Sequence, residues 1–198
     1  IWKSGLYKDD SYGGGWLMST LKVNNITDLG DDAVVTSGVL DTLAVPAGGI
    51  LQAVSVNKTE TFSSSSTSLT DVTGLTASIT PSSASNKILV FTSIMHGSSA
   101  NGRTIFTVAD GDNNLLLSPD SPGTKTPGFV GFETDELANL MNANYSFLHS
   151  PNTTSSFTYK IRTLTQVGTV YVNRTGNSGD SPTLAAGVST ITLMEVAG

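Results

Sequence analysis

The sequence predicts an all-β protein with antiparallel strands, and three observations support this prediction. Along most of the chain, apolar residues alternate with polar ones or form short apolar runs between turn signals. Helical periodicity is nearly absent; one helical turn is expected at 134–141, where Thr134 would cap it. Turns rich in Gly, Asn and Asp, such as 100–102, 110–113 and 175–179, recur at short intervals. This spacing predicts a sandwich or barrel.

Strands are expected near residues 20–26, 50–56, 69–79, 87–95, 103–109, 114–117, 128–133, 144–149, 156–164, 169–173 and 188–196. Within the serine-rich stretch 59–90, the residues Leu75, Ala77 and Ile79 alternate with hydroxylated residues, which predicts a strand with one apolar face. The continuous apolar run 88–91 predicts a strand that is buried on both sides. The serine-rich pieces 63–66 and 82–85 should lie between strands. The stretch therefore predicts core strands rather than a linker.

The first 49 residues differ from the remainder. Residues 1–17 are unlike the rest, and Met18 opens a more ordinary segment, so we interpret 1–17 as a leader or extension. Segment 18–49 offers one short strand around Val23 and a second at Val34 and Val35, which is too little apolar surface to fold alone. We expect it to be an attachment or intertwining segment, followed by one sandwich domain at 50–198.

Composition restricts the function classes. Charged residues make up 13% of the 198 residues, and the net charge is −6. Such a surface, rich in Ser, Thr and Asn, suits an extracellular or particle-surface β protein and offers no basic patch for nucleic acid. The sequence contains no cysteine, which removes disulfides and thiolate chemistry. No apolar run approaches the length of a membrane span, so membrane insertion is not expected.

No residue pattern announces a reaction, so we predict that the protein is not an enzyme and needs no cofactor. The two histidines, His96 and His149, each end a strand-like run without a nucleophile motif or a metal-binding spacing nearby. Glu133, Asp135 and Glu136 could in principle act as paired acids on a glycoside, but acids beside a helical turn are explained more simply by the helix dipole.

One weak calcium pattern is present. Asp110, Asp112 and Asn114 occupy the first, third and fifth positions of a calcium loop, whose closely spaced oxygens wrap a hard cation. The pattern then fails, because Leu115 stands where glycine is required and Ser121 stands where glutamate is required. We favour a tight hairpin over a metal site.

Several segments resemble the structural proteins of marine bacteriophages, often described as tail-fibre or virion proteins. They are MSTLKVNNITD at 18–28, the stretch 48–90 that ends in SSASNKILV, and the stretch from 145 that closes with STITLMEV at 189–196. The resemblance implies a jelly-roll β-sandwich similar to the tumour-necrosis-factor and complement-head domains, usually a homotrimer. It also implies that 50–56 opens the jelly roll and that 190–196 closes it beside that first strand.

The resemblance leads us to expect a trimeric tail-fibre protein or receptor-binding tip located on the virion. Its partners would be copies of itself, other virion proteins and a host-surface glycan or protein. A capsid decoration, cement or head-fibre protein of the same fold is the alternative, and a carbohydrate depolymerase is a third hypothesis. If a glycan is bound, loops such as 97–102, 110–114 and 175–182 are the expected places.

Overall fold

The computed structural model describes residues 45–198 apart from 100, 119, 121–122 and 135–136, together with three short strands closer to the N-terminus. The chain divides into two units, residues 1–44 and 45–198, and each is described by itself. The leader or extension predicted at 1–17 lies outside the described residues and stays a prediction.

In the first unit, three strands form one antiparallel sheet in the order β1-β2-β3. They are β1 (Asn25–Thr27), β2 (Ala33–Thr36) and β3 (Val39–Leu40). β2 contains the two valines that predict a strand there. The register between β1 and β2 shifts after Ile26, which marks a bulge.

The second unit contains ten strands among its described residues. They are β4 (Ile50–Lys58), β5 (Phe62–Ser64), β6 (Thr70–Ile79), β7 (Lys87–Ser98), β8 (Gly102–Asp110), β9 (Val130–Thr134), β10 (Met141–His149), β11 (Phe157–Val167), β12 (Val170–Val172) and β13 (Ser189–Val196). All of their pairings are antiparallel.

The strands form two sheets. In the first sheet, β7 is flanked on one edge by β10 and on the other edge by β13 and then β12, which pair with successive parts of β7. β4 pairs with β13, and β5 pairs with β12. The first sheet is thus four strands wide, with β4/β5 and β10 at its edges. The second sheet has the order β6-β11-β8-β9.

This order is that of a jelly roll. When β4/β5 and β12/β13 are each taken as one path, every connection passes from one sheet to the other, except that from β8 to β9. The predicted fold class, an antiparallel jelly-roll sandwich, is confirmed. So is the expected closure, because β13 pairs with β4 along its whole length, from Ser189 opposite Lys58 to Val196 opposite Ile50.

The core lies between the two sheets. Leu75, Ala77 and Ile79 are buried, which confirms the predicted apolar face of β6. The apolar run in β7 behaves differently from the prediction: Ile88 is fully buried, but Phe91 is 42% exposed. The outward side of this apolar run is therefore only partly covered by the described residues.

Three further expectations need correction. Segment 114–117 forms an isolated bridge from Leu115 to Ala109 rather than a strand. The serine-rich piece at 63–66 contributes to β5, so it is not entirely a connection. The described part of the expected helical turn is not helical, because Leu137 begins a turn and β10 starts at Met141. Within the part of the chain that the structure describes, no helix is long and apolar enough to cross a membrane.

Candidate functional site

The jelly roll has two ends, which the direction of β8 distinguishes. β8 begins at Gly102, soon after β7 ends, and finishes at Asp110, opposite Tyr159 near the start of β11. At roughly 3.3 Å per residue, the nine residues of this strand separate the two ends by about 26 Å. We call the end at Gly102 the distal end and the end at Asp110 the proximal end.

The chain enters and leaves the jelly roll at the proximal end. The amide of Gly48 donates to the carbonyl oxygen of Ala197 at 2.8 Å, and the amide of Ala197 donates to the carbonyl oxygen of Gly49 at 2.9 Å. These bonds extend the β4–β13 ladder beyond Ile50. Loops at the distal end therefore project away from the point where the chain enters.

The loops predicted to bind a glycan are divided between the two ends. The β7–β8 connection and the loop from 173 to 188, which we call the β12–β13 loop, are distal, because β12 pairs with the last residues of β7. The turn 110–114 is proximal, at the opposite end of β8. The structure thus brings two of the three predicted loops to one end and separates the third from them.

The two ends of the β12–β13 loop are anchored by a buried side chain, Asn173. Asn173 adopts a left-handed backbone conformation, with φ 65°, and its side chain is buried. Its Nδ2 donates to the carbonyl oxygens of Lys58, at 2.7 Å, and Glu60, at 3.0 Å. Its Oδ1 accepts a bond from the hydroxyl of Ser189 at 2.6 Å. These bonds tie both ends of the loop to the turn that follows β4.

The first residues of the loop pack directly on the end of β7. A Cβ atom added to Gly97 would lie 2.9 Å from the carbonyl oxygen of Arg174, and one added to Gly176 would lie 2.1 Å from that of Ser98. Both distances are too short for a side chain. Glycine at these two positions therefore allows the loop backbone to contact the strand.

One cationic side chain is held in place on the loop. The guanidinium of Arg174 lies 3.9 Å from the ring centre of Tyr171, a cation–π arrangement, and its Nη1 donates to the carbonyl oxygen of Thr175 at 3.3 Å. A backbone bridge from Arg174 to Ala186 closes the loop. The loop lines a depression of about 360 Å³ with Arg174, Thr175, Asn177, Ser178, Gly179, Asp180, Ser181, Leu184, Ala185 and Ala186.

A second candidate surface is the outer face of the first sheet. Near the proximal end, one cross-strand row on this face is wholly apolar, and we call it the apolar row. It consists of Leu148 on β10, Leu89 on β7, Met194 on β13 and Ala53 on β4, which are paired in this order. Leu148 is 50% exposed. Phe91 continues the apolar surface in the neighbouring row, opposite Thr192.

The predicted calcium residues form a hydrogen-bonded turn. Oδ1 of Asp110 accepts bonds from the amides of Asp112 and Asn114, and Oδ2 accepts one from Nδ2 of Asn114, each at 2.9 Å. Burial raises the pKa of Asp110, but these bonds outweigh it and lower the pKa. No group of three or more His, Asp or Glu side chains that could hold a metal ion is found in the described residues.

Of the acids considered for glycoside chemistry, Asp135 and Glu136 lie outside the described residues. Glu133 belongs to β9, where its backbone pairs with Arg103. The idea of a catalytic acid pair therefore gains no geometric support here.

Both histidines face the interior of the sandwich. His96 is buried against the ring of Phe106, with 5.0 Å between centroids, and burial lowers its pKa to about 4. Nδ1 of His149 shares a 2.8 Å hydrogen bond with the hydroxyl of the buried Tyr159. Burial lowers the pKa of His149, an effect that Asp110 opposes.

A buried carboxylate that the sequence patterns did not single out closes the proximal end. Glu195 is fully buried. Its Oε1 accepts bonds from the amide and hydroxyl of Ser82, at 2.6 and 2.7 Å, and from Nδ2 of Asn86 at 2.6 Å. Its Oε2 accepts a bond from Nε2 of Gln52 at 2.5 Å. Burial raises the pKa of Glu195, but these bonds outweigh it and lower the pKa to about 2. The carboxylate therefore joins β4 and β13 to the serine-rich loop before β7.

No protein-family model and no curated protein sequence matches the chain. Among solved structures it is similar to a mutant VP2 protein of infectious bursal disease virus in derived T=1 particles, with 14% identity, TM-score 0.38 and coverage of 74% of this chain and 36% of that chain. It is also similar to a chain of the Gx strain of that virus, with 13% identity, TM-score 0.35 and coverage of 74% and 37%.

A third similar structure is the VP2 subviral particle, with 16% identity, TM-score 0.33 and coverage of 74% and 37%. The chain thus spans little more than a third of the length of these viral chains. With TM-scores below 0.5, the likenesses assign neither a family nor a function.

Proposed function

We propose that this protein is a non-enzymatic structural protein of a bacteriophage virion, a jelly roll that assembles as a homotrimer and presents its distal end to the host. The observation that carries the proposal is the outer face of β7. The run 88–91 is apolar on both sides of the strand, yet among the described residues only the side that contains Ile88 is fully buried, whereas Phe91 on the other side is 42% exposed. A second copy of the chain would cover the side that contains Leu89 and Phe91.

The composition of this face supports burial against other copies. The outward side chains of β4, β13, β7 and β10 include one charged residue, Lys87, at the end of the face. The rest are apolar, hydroxyl or amide groups, and Ser55 and Thr192 already pair their hydroxyls at 2.8 Å. Little charge would have to be desolvated when such a face is buried.

The trimeric state and the position on a phage particle follow from the sequence resemblance described above. The jelly-roll order and the pairing of β4 with β13 agree with that resemblance. Because chain entry and exit are both proximal, the distal loops are suited to contact a host, which favours a tail-fibre tip over a cement protein that binds a capsid.

A catalytic role is not part of the proposal. The carboxylate of Glu195, whose pKa is lowered to about 2, is enclosed by Ser82, Asn86 and Gln52 and has no exposed surface. The imidazole of His96 is likewise buried in the core. Neither group can reach a polysaccharide substrate.

Multi-angle light scattering on the purified full chain at micromolar concentration tests the assembly. A mass of three chains, about 61.5 kDa from 20.5 kDa each, is expected. A stable monomer would contradict the proposal. Gold labelling of intact particles would then place the chain: label at the tail supports a fibre tip, whereas label over the whole capsid supports a decoration protein.

A further inference from the structure

The depression in the β12–β13 loop has the properties of a small-molecule site. Its volume of about 360 Å³ lies at the lower end of the range of roughly 300–1,000 Å³ that ligand pockets occupy. Its lining combines one cation and one carboxylate, Arg174 and Asp180, with an amide, several hydroxyls and the aliphatic segment 184–186. We propose that this depression binds one neutral sugar residue of a surface glycan, an inference that rests on the host-contacting role proposed above.

Arg174 supplies donors in a fixed position. A guanidinium carries five N–H donors in one plane, and among the described residues the carbonyl oxygen of Thr175 accepts a bond from one of them, on Nη1. The Cζ atom of Arg174 lies over the ring of Tyr171, 3.9 Å from its centre, and this contact limits the side-chain freedom that binding would remove. Two parallel donors on such a plane match the oxygens of adjacent sugar hydroxyls.

The carboxylate of Asp180 favours a neutral sugar over an anionic ligand. A carboxylate accepts bonds from sugar hydroxyls but repels a phosphate or a uronate, and it lines the same depression as Arg174. The net charge of −6 adds to this repulsion. Leu184 and its two alanine neighbours provide an apolar surface for the C–H side of a sugar ring.

The loop is already ordered by its own bonds. The amide of Gly179 donates to Oδ1 of Asn177 at 3.0 Å, and the hydroxyls of Ser181 and Thr183 pair at 2.8 Å. The amide of Asn177 donates to the carbonyl oxygen of Leu137 at 2.8 Å. Connections this long without regular secondary structure are uncommon unless they serve a function, and a preordered loop lowers the entropy cost of binding.

Saturation-transfer NMR and titration of the full chain test this inference. The probes are the methyl glycosides of glucose, galactose, mannose and N-acetylglucosamine, together with glucuronate and galacturonate. At least one neutral glycoside should bind, and better than either uronate. Asp180→Asn should weaken binding about tenfold, because a charged acceptor is lost. The matched control Asp112→Asn, at the proximal end, should bind like the wild type.

Three results would overturn the inference: no neutral glycoside binds, a uronate binds more tightly than every neutral sugar, or the two variants lose affinity equally. Light scattering on the same samples separates this failure from failure of the proposed function. A trimer that binds no sugar would contradict the saccharide site and leave the proposed assembly intact. A monomer that binds a neutral sugar keeps the site and contradicts the assembly.

Discussion

The two sheets of the jelly roll differ in where most of their acidic and basic side chains lie. In the first sheet, Glu195 and His96 point inward and are buried, whereas the outward side chains are apolar, hydroxyl or amide groups apart from Lys87. In the second sheet, Asp71, Lys160 and Arg162 form an ion-pair cluster on the outside. The contrast agrees with the proposed burial of the outer face of the first sheet against other copies, whereas the charged outer face of the second sheet is suited to water.

The outer face of the second sheet is covered by its own side chains. Arg162 donates from Nε to Oδ1 of Asp71 at 2.9 Å, and Nζ of Lys160 lies 3.2 Å from Oδ2. Arg162 stands opposite Thr107 and Lys160 opposite Ala109, and both of these smaller residues have no exposed surface. The side chains of Lys160 and Arg162 are only 13% and 16% exposed, so their aliphatic stems lie against the sheet. The first sheet has no comparable cover among the described residues.

The largest effect is expected when a charge is introduced into the apolar row. Leu148→Lys places a charge on the half-exposed edge of that row, where it costs a single chain little but would be desolvated in an assembly. We expect the dissociation constant of the proposed trimer to rise by about 100-fold or more. Sedimentation velocity over a concentration series measures this shift.

The control for that variant is Ser78→Lys, which adds the same charge to an exposed position on the outer face of the second sheet. It should leave the trimer intact. Equal dissociation of both variants would show that added charge, rather than its position on the first sheet, weakens the assembly.

The buried His96 of the first sheet should make the folding stability depend on pH. The folded pKa of His96 is about 4 and its ordinary value is 6.5, so the unfolded chain binds the proton more readily. Stability should therefore fall as the pH drops from 6.5 towards 4, by about 3 kcal/mol in total. Urea denaturation at several pH values measures this, and His96→Phe should flatten most of the slope.

The control is His149→Gln, since burial also lowers the pKa of His149, but this side chain is only partly buried. It should remove a smaller part of the slope. If His96→Phe left the whole pH dependence in place, the assignment of that dependence to the buried imidazole would be wrong.

Substitution of the buried Glu195 in the first sheet should cause the next largest loss of stability. Glu195→Gln replaces one acceptor oxygen with an N–H donor among groups that already donate, which should cost about 2 kcal/mol at neutral pH. Because the folded pKa of about 2 lies below the ordinary 4.5, the stabilisation is complete above pH 4.5 and is lost as the pH falls towards 2.

Chemical denaturation at pH 7 and pH 3 tests both statements. Glu60→Gln serves as the control, because Glu60 is 79% exposed and lies 3.8 Å from Nζ of Lys58. The variant Glu195→Gln should lose less stability than the wild type between the two pH values. Identical behaviour of the two glutamine variants would remove the special role of Glu195.

The smallest effect concerns the ion-pair cluster of the second sheet. Asp71→Asn keeps an acceptor for Arg162 but removes the charge, and Asp71 is 45% exposed, so about 1 kcal/mol or less should be lost. The loss should shrink in 1 M salt, which screens exposed charges. A loss above about 3 kcal/mol, independent of salt, would show that this face is more than a solvated surface.

Local periodicity explains what could be predicted from the sequence. The alternation of Leu75, Ala77 and Ile79 predicts β6 and its buried face, and STITLMEV predicts β13. The polar strand β5 could not be predicted, since Phe62 alone carries apolar character there. The end of the sandwich on which each loop lies could not be predicted either, because it depends on pairing between distant strands.

The inward position of Glu195 could have been predicted from the alternation along β13. Ile191 and Leu193 face the core, and a spacing of two places Glu195 on the same inward face of β13. A single carboxylate near the end of a strand normally suggests solvent exposure, so periodicity and residue type give opposite predictions. The donors that resolve the conflict come from Ser82, Asn86 and Gln52, which are far away in the sequence.

The position of β13 has a consequence for biosynthesis. Among the described strands it comes last in chain order, yet it lies between β4 and β7, two strands made long before it. During translation, β4 has no partner on the side where β13 will pair until residues 189–196 have left the ribosome. Until then, the apolar side chains of β4 and β7 stay accessible to chaperones and to neighbouring nascent chains.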